Sequence, residues 1–328
     1  MFTHVVLDGV TEGALGVGLD VVDAARRLTE ARLVVGEGDP RALKQRVASI
    51  DGVPVRSGTG REIAVDSTLS LRGARAGDVW VVPGLSAVSE PAIDALLGRD
   101  DTARVAALLA RAVDKGVLVA ASCSATFVLA AAGLLNGRRA TTTWWLAPLL
   151  SRRFVDVDVV ADQMVVQSTG VWTAGSAFAH ADLMLGLMSH VAGPSLAHLV
   201  ARYLVLDERV TQTRYMVMEH LRTADEAVRA VERFVVDNLH RQVTLAELAQ
   251  VAKMSPRTLS RRIEHALAMT PLEFVQRQRV ARAAHLLDTT NASVDDVANR
   301  VGYADAAAFR RVFRRFTGTA PRDGRGAR

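Results

Sequence analysis

Up to about Val205, short apolar runs alternate with stretches of helical periodicity. His4–Leu7 reads as a strand, Leu19 to Leu28 as a helix and Ala31–Val35 as the next strand. Val79–Val82 is a buried-type strand stopped by Pro83-Gly84. A helix from Thr102 to Asp114 leads into the strand Gly116–Ala120, and Ala125 to Ala132 follows as a helix. Helices near Phe178 to His190 and from Pro194 to Leu206 close the segment. Gly13, Gly16 and Gly18 follow the first strand without a GxGxxG spacing and read as a loop. This alternation predicts an α/β fold with a mostly parallel sheet flanked by helices.

The last hundred residues have helical periodicity only. Leu245, Leu248, Ala249 and Val251, then Leu259 and Ile263, fall where a small bundle needs apolar side chains. Val294, Val297, Ala298 and Val301 repeat the first group, and Phe309, Phe313 and Phe316 form an inward stripe that leaves Arg310, Arg311, Arg314 and Arg315 outside. The helix starts repeat as well. Thr244 with Glu247 forms a potential capping box, and Ser293 with Asp296 is a near-equivalent about 50 residues later. Ser255-Pro256 and Asp305 each open an arginine-bearing helix, and Thr270-Pro271 opens a longer one, to Thr289, between the two copies. Each copy therefore predicts a helix, a tight turn and a second helix, the geometry that presents a helix to the DNA major groove.

Charge sharpens the division. Val228 to Arg328 holds 18 Lys and Arg against 10 Asp and Glu, a net +8, whereas the preceding residues hold 22 against 25. Locally concentrated positive charge suits phosphate contact and counterion release. The single cysteine excludes an intrachain disulfide and multi-cysteine metal sites, and the histidines lack metal-ligand spacing, so no metal or cofactor is expected. With no long apolar run and no secretory leader pattern at Met1, the expectation is a cytoplasmic protein without membrane association. Asp207 to Thr223, polar and charged, reads as a linker, giving domains at 1–206 and 225–328 joined by 207–224.

From about Ala227 to Asp323 the chain resembles the DNA-binding domain of AraC/XylS-type bacterial regulators. The likeness rests on both helix pairs, the intervening helix, and the run Val297 to Tyr303 with Phe309, Arg311, Phe313, Phe316, Gly318 and Pro321. It implies an all-α domain whose two recognition helices enter successive major grooves of double-stranded DNA. Base-facing positions would be Arg257, Ser260 and Arg261 in the first, and Ala306, Ala307, Arg310 and Arg311 in the second. Arginine can grip guanine O6/N7, whereas alanine meets only a thymine methyl, so the half-sites should be read differently.

In open parallel sheets, ligands sit beyond the carboxyl ends of the strands. Two such ends carry chemistry here: Gly84-Leu85, and Cys123-Ser124 between a strand and a helix. That is the place of a nucleophile elbow, where the following helix can favour a thiolate. Residues Phe2 to Leu206 resemble the ThiJ/PfpI group of class I glutamine amidotransferase-like domains, chiefly through Ala121 to Trp144, Val82-Pro83-Gly84 and Thr173-Ala174-Gly175. The resemblance implies a flavodoxin-like first domain. It also marks departures: many relatives have His where Thr143 precedes Trp144, and an acid where Ala14 stands, with Glu12 two positions earlier.

Without a base and an orienting acid, a cysteine lacks its usual activation. Cys123 is therefore expected to line a non-catalytic ligand pocket with Gly84, Leu85 and Ser124, ahead of a redox-sensing role. Trp144, Trp145 and Trp172 are candidates for its walls, and His180 is placed at the surface at a helix start. The expectation is a homodimeric transcription regulator that binds DNA and RNA polymerase under control of an unidentified small-molecule effector. The competing expectation is a cysteine-dependent amidase or hydrolase tethered to DNA.

Overall fold

The computed structural model describes residues 1–33, 43–207, 209, 211–212, 225–267 and 269–321. It divides into two compact units, Met1–Val210 and Thr211–Arg328.

In chain order the first unit contains β1 (Phe2–Val5), α1 (Glu12–Glu30), β2 (Gln45–Ser49), β3 (Val55–Arg56), β4 (Glu62–Ile63), β5 (Ser67–Thr68) and β6 (Val79–Val82). There follow α2 (Glu90–Leu97), α3 (Asp100–Asp114), β7 (Leu118–Ser122), α4 (Thr126–Ala131), β8 (Arg139–Ala140) and α5 (Ala147–Arg153). Then come β9 (Asp158–Val159), β10 (Val165–Ser168), β11 (Val171–Ala174), α6 (Ala179–Ala192) and α7 (Pro194–Tyr203). Seven strands form one sheet in the order β10-β11-β7-β6-β1-β2-β5. All of its pairs are parallel except β10 with β11.

Strand alternation sends successive side chains to opposite faces. Val5, Trp80 and Val82 enter one core with Phe127 and Leu109, while Phe2, Val79 and Val81 enter the other with Val21, Leu183 and Met184. Helices thus cover both faces, as a sheet of continuously apolar strands requires.

Two local expectations are corrected. The glycine-rich segment after β1 is helical: α1 begins at Glu12, not Leu19. Glycine disfavours helix when nothing packs on it, but Gly18 lies beneath two buried histidine rings, where a Cβ would come within 3.0 Å of His180 Nε2 and 3.1 Å of His4 Cε1. Ala31 and Arg32 form the turn that ends α1, with Arg32 at φ 56°, so they start no strand; Val34 and Val35 lie outside the described residues. Among the described residues the next strand is Gln45–Ser49, whose polar start hides it.

The second unit contains α8 (Glu226–Asp237), α9 (Leu245–Val251), α10 (Pro256–Leu267), α11 (Pro271–Thr289), α12 (Val294–Arg300) and α13 (Ala306–Thr317). The caps do what the repeat predicts. Thr244 with Glu247 and Ser293 with Asp296 form complete capping boxes. The Asp305 carboxylate accepts from the backbone N–H groups of Ala307 and Ala308, and Ser255 Oγ accepts from that of Thr258. Thr270 caps α11, but Glu273 turns its carboxylate to Arg277 at 3.0 Å. Leu245, expected inside, is 40% exposed and lines a groove of about 420 Å³ with Leu272 and Val275.

Residues 213–224, most of the expected linker, lie outside the described residues. Arg209, just before them, is fastened to the first unit: its guanidinium donates to Asp182 at 2.6 Å and to the Phe178 carbonyl at 2.6 Å. Burial pushes the Asp182 carboxyl up, and Arg209 opposes that shift. Among the described residues no helix is long and apolar enough to cross a membrane.

Candidate functional site

Strand order reverses between β1 and β6, and the loops leaving these strands meet there. Thr11 N–H donates to the Gly84 carbonyl (2.8 Å), Ser86 N–H to that of Gly9 (2.7 Å), and Val10 bridges Leu85. Cys123 leaves the neighbouring β7 in a sharp turn at φ 56°, a conformation an L-residue adopts only when its surroundings enforce it. They do so through the backbone: Cys123 N–H donates to the Gly175 carbonyl (2.7 Å), and the Cys123 carbonyl accepts from Thr142 Oγ1 (2.7 Å).

Gly84 makes the close approach possible, since a Cβ there would lie 3.0 Å from the Cys123 Cβ and 3.8 Å from its sulfur. Ser124 Oγ donates to the Leu85 carbonyl at 2.6 Å. The four residues expected to line a ligand pocket, Gly84, Leu85, Cys123 and Ser124, are therefore brought together, and all four are buried.

The electrostatics differ from those of an activated elbow. Burial pushes the Cys123 thiol up, and hydrogen bonds from Ser124 and Thr143 pull it back only in part. Burial thus favours the neutral thiol, against any pull toward thiolate from the start of the short α4. Thr143 stands where a base is expected, with its hydroxyl 2.9 Å from that of Ser176. Ala14 is buried. Glu12, the nearby acid, spends its carboxylate on Ser57 Oγ at 2.5 Å and on Thr59 Oγ1, and these bonds hold its pKa low. Thr11, Thr142, Thr143 and Ser176 complete the polar surroundings. The Thr141–Thr143 run was visible in the sequence, whereas nothing local marked Ser176.

His180 is corrected from surface to core. It is fully buried, and its Nδ1 lies 2.9 Å from Ser122 Oγ. His4, on β1, places Nε2 3.1 Å from Gln45 Oε1, and Gln45 Nε2 donates to the Leu19 carbonyl. Burial drives His180 down to about 3 and His4 to about 4, so both rings are neutral. Position at a helix start suggested exposure, but α6 is buried over nearly its whole length. Trp172 packs into the core with its ring 5.5 Å from that of His190. Trp144 and Trp145 stack edge to face at 5.1 Å, directly after Thr143. Among the described residues no group of three or more His, Cys, Asp or Glu could hold a metal ion.

In the second unit, α10 and α13 each bury one stripe: Leu259, Ile263 and Leu267, and Phe309, Phe313 and Phe316. The opposite faces expose Arg257 and Arg261, and Ala307, Arg310 and Arg311. Ser260 and Ala306 are half-buried. The Ser260 hydroxyl donates back to the Pro256 carbonyl at 3.0 Å. Arg310 donates to Asp295 at 2.6 Å, a partner the sequence reading missed.

Two arginines of the second unit are buried against aromatic rings. Arg277 stacks over Phe316 at 5.2 Å, and Arg279 over Tyr303 at 5.3 Å while donating to the Arg241 carbonyl.

Comparison with known proteins agrees with this division. Residues 20–184 match the DJ-1/PfpI family, and residues 248–327 match a helix-turn-helix domain. The HTH-type transcriptional regulator CdhR of Pseudomonas aeruginosa is 30% identical over 288 residues, covering 84% of this chain and 80% of the relative. The regulator GbdR of the same species is 26% identical over 283 residues, covering 81% and 76%. Among solved structures, Drosophila melanogaster DJ-1beta is 22% identical with a TM-score of 0.49, covering 63% of this chain and 97% of that one. The chain belongs to the DJ-1/PfpI family, joined to an AraC-type helix-turn-helix domain, and is a DNA-binding transcription regulator.

Proposed function

We propose that this regulator reads two DNA half-sites through α10 and α13, under control of a small molecule that binds the crevice of Gly84, Leu85, Cys123 and Ser124 without being turned over. Arg257, Ser260 and Arg261 address the first half-site, and Ala306, Ala307, Arg310 and Arg311 the second. The observation that carries the reading is the outward arginine face on two helices, each preceded by a short helix that starts with a capping box. Such a face supplies both phosphate affinity and guanine recognition. The ligand acts by differential affinity, shifting the population of states competent for DNA and RNA polymerase. Dimerisation through the first unit raises effective concentration at paired sites. A thiol pushed up by burial, with Thr143 where a base is expected, supports the non-catalytic role over amidase or hydrolase chemistry.

The test is selection of bound sequences from a randomised duplex pool by the full-length protein, beside Arg261→Ala and Arg311→Ala. Two short motifs about one helical turn apart are expected, each weakened about tenfold to a hundredfold by its own substitution. Binding without enrichment, sensitive only to salt, would overturn the reading.

A further inference from the structure

The capping boxes and helix starts align the two helix-turn-helix copies residue by residue. Thr244 matches Ser293, Ala246 matches Asp295, Arg257 matches Ala307, Ser260 matches Arg310, and Arg261 matches Arg311. One pair of positions differs in kind. In the second copy, Asp295 on α12 and Arg310 on α13 form an ion pair at 2.6 Å. The same positions in the first copy hold Ala246 and Ser260, and the serine hydroxyl bonds within its own helix.

Stability does not explain this pair. Both side chains are exposed, 66% for Asp295 and 44% for Arg310, and such ion pairs add little. Nor is Asp295 spent on the start of α12, because Asp296 completes that capping box. What the contact does is restrain a long side chain. Arg310 engages Asp295 through one terminal nitrogen, which leaves other donors of its planar fork to meet a base edge. A charge-assisted bond that fixes the fork beforehand reduces the rotamer freedom lost on docking.

We infer that Asp295 is a positioning residue for base recognition: it holds Arg310 so that the second half-site is read for a guanine at a position where the first half-site, facing Ser260, is not. This rests on the base-reading role proposed for Arg310.

The experiment is sequence selection and quantitative duplex binding by the full-length protein and its Asp295→Ala, Asp295→Asn, Arg310→Ala and Asp295→Ala/Arg310→Ala variants, with helix content checked by circular dichroism. The wild-type protein should prefer guanine at one position of the second half-site, and Arg310→Ala should abolish that preference. Asp295→Ala should reduce it a few-fold, the scale of ordering one free side chain on docking, with the rest of the motif unchanged. Asp295→Asn keeps an acceptor oxygen and should lose less, while the double variant should match Arg310→Ala. An undiminished preference in Asp295→Ala overturns the inference. So does a stronger one, which would mean that Asp295 withholds the arginine. A motif unaffected by Arg310→Ala, or no motif in any variant, overturns the underlying base-reading role instead.

Discussion

The two units handle their polar chemistry in opposite ways. In the first, Cys123, His4 and His180 are buried, and burial holds each in its neutral form. In the second, Arg257, Arg261 and Arg311 stand on exposed helix faces. Desolvation penalises the charged form of any group, so the interior of the first unit silences side chains that would otherwise be reactive. DNA recognition needs the reverse, permanent charge presented to solvent. A cysteine at a sharp elbow therefore does not imply catalysis here, whereas an arginine on a recognition helix can act without further activation.

The largest expected effect that separates the units is pH. A histidine whose native pKa lies below its unfolded value binds its proton more readily when unfolded. Its contribution is fully present above pH 6.5 and is lost as pH falls toward the native values of about 4 for His4 and about 3 for His180. Between pH 7 and 5 the first unit should lose about 2 kcal/mol per histidine. Asp182, pushed up by burial, works in the opposite sense nearer the acid end. Peptide-resolved hydrogen exchange on the full chain should show this loss in β1 and α6. It should be absent from α13, which contains no histidine. Equal loss in both units would break the contrast.

Next in size is Gly18→Ala. The added methyl would press on both histidine rings, at 3.0 Å from one and 3.1 Å from the other, and overpacking of this kind costs about 1–3 kcal/mol. The loss should appear in exchange of α1 and α6 peptides and leave DNA affinity nearly unchanged. A variant as stable as wild type would show that the rings move aside freely.

Legibility in the sequence follows the same contrast. Caps and turns are local chemistry, so α11 is readable at both ends, Pro271 and Thr289, and the two capping boxes are readable residue for residue. Val79–Val82 is readable because four buried apolar residues end at Pro83-Gly84. What escaped depends on tertiary partners. Gly18 suits a helix only because His4 and His180 fill the space above it, and β2 is a strand although Gln45 and Arg46 begin it. His180 is buried by neighbours remote in sequence. Ser176 and Asp295 became visible only once the fold brought them to Thr143 and Arg310.

A smaller effect tests the second unit by itself. Thr244→Ala and Ser293→Ala each remove the side-chain acceptor of a capping box, and each should cost about 1 kcal/mol. Exchange should rise in the first turn of α9 or α12, with no change in the first unit. Because both caps are complete, the two costs should be similar. A much larger penalty at one would show that its helix has little support beyond the cap.

The smallest expected effect concerns Cys123. As a buried thiol, 3% exposed and held protonated by its surroundings, it should react with iodoacetamide far more slowly at pH 7 than the same cysteine in the denatured chain. The rate should rise only as pH approaches the alkaline range. Cys123→Ser keeps a small hydrogen-bonding side chain in the elbow, and DNA affinity without effector should stay within about twofold, since affinity is set by phosphate and base contacts. Rapid alkylation at neutral pH, with loss of a hydrolytic turnover in Cys123→Ser, would reverse the contrast between the units: the first would then hold an activated nucleophile in spite of burial, and the crevice would have to be read as an active site.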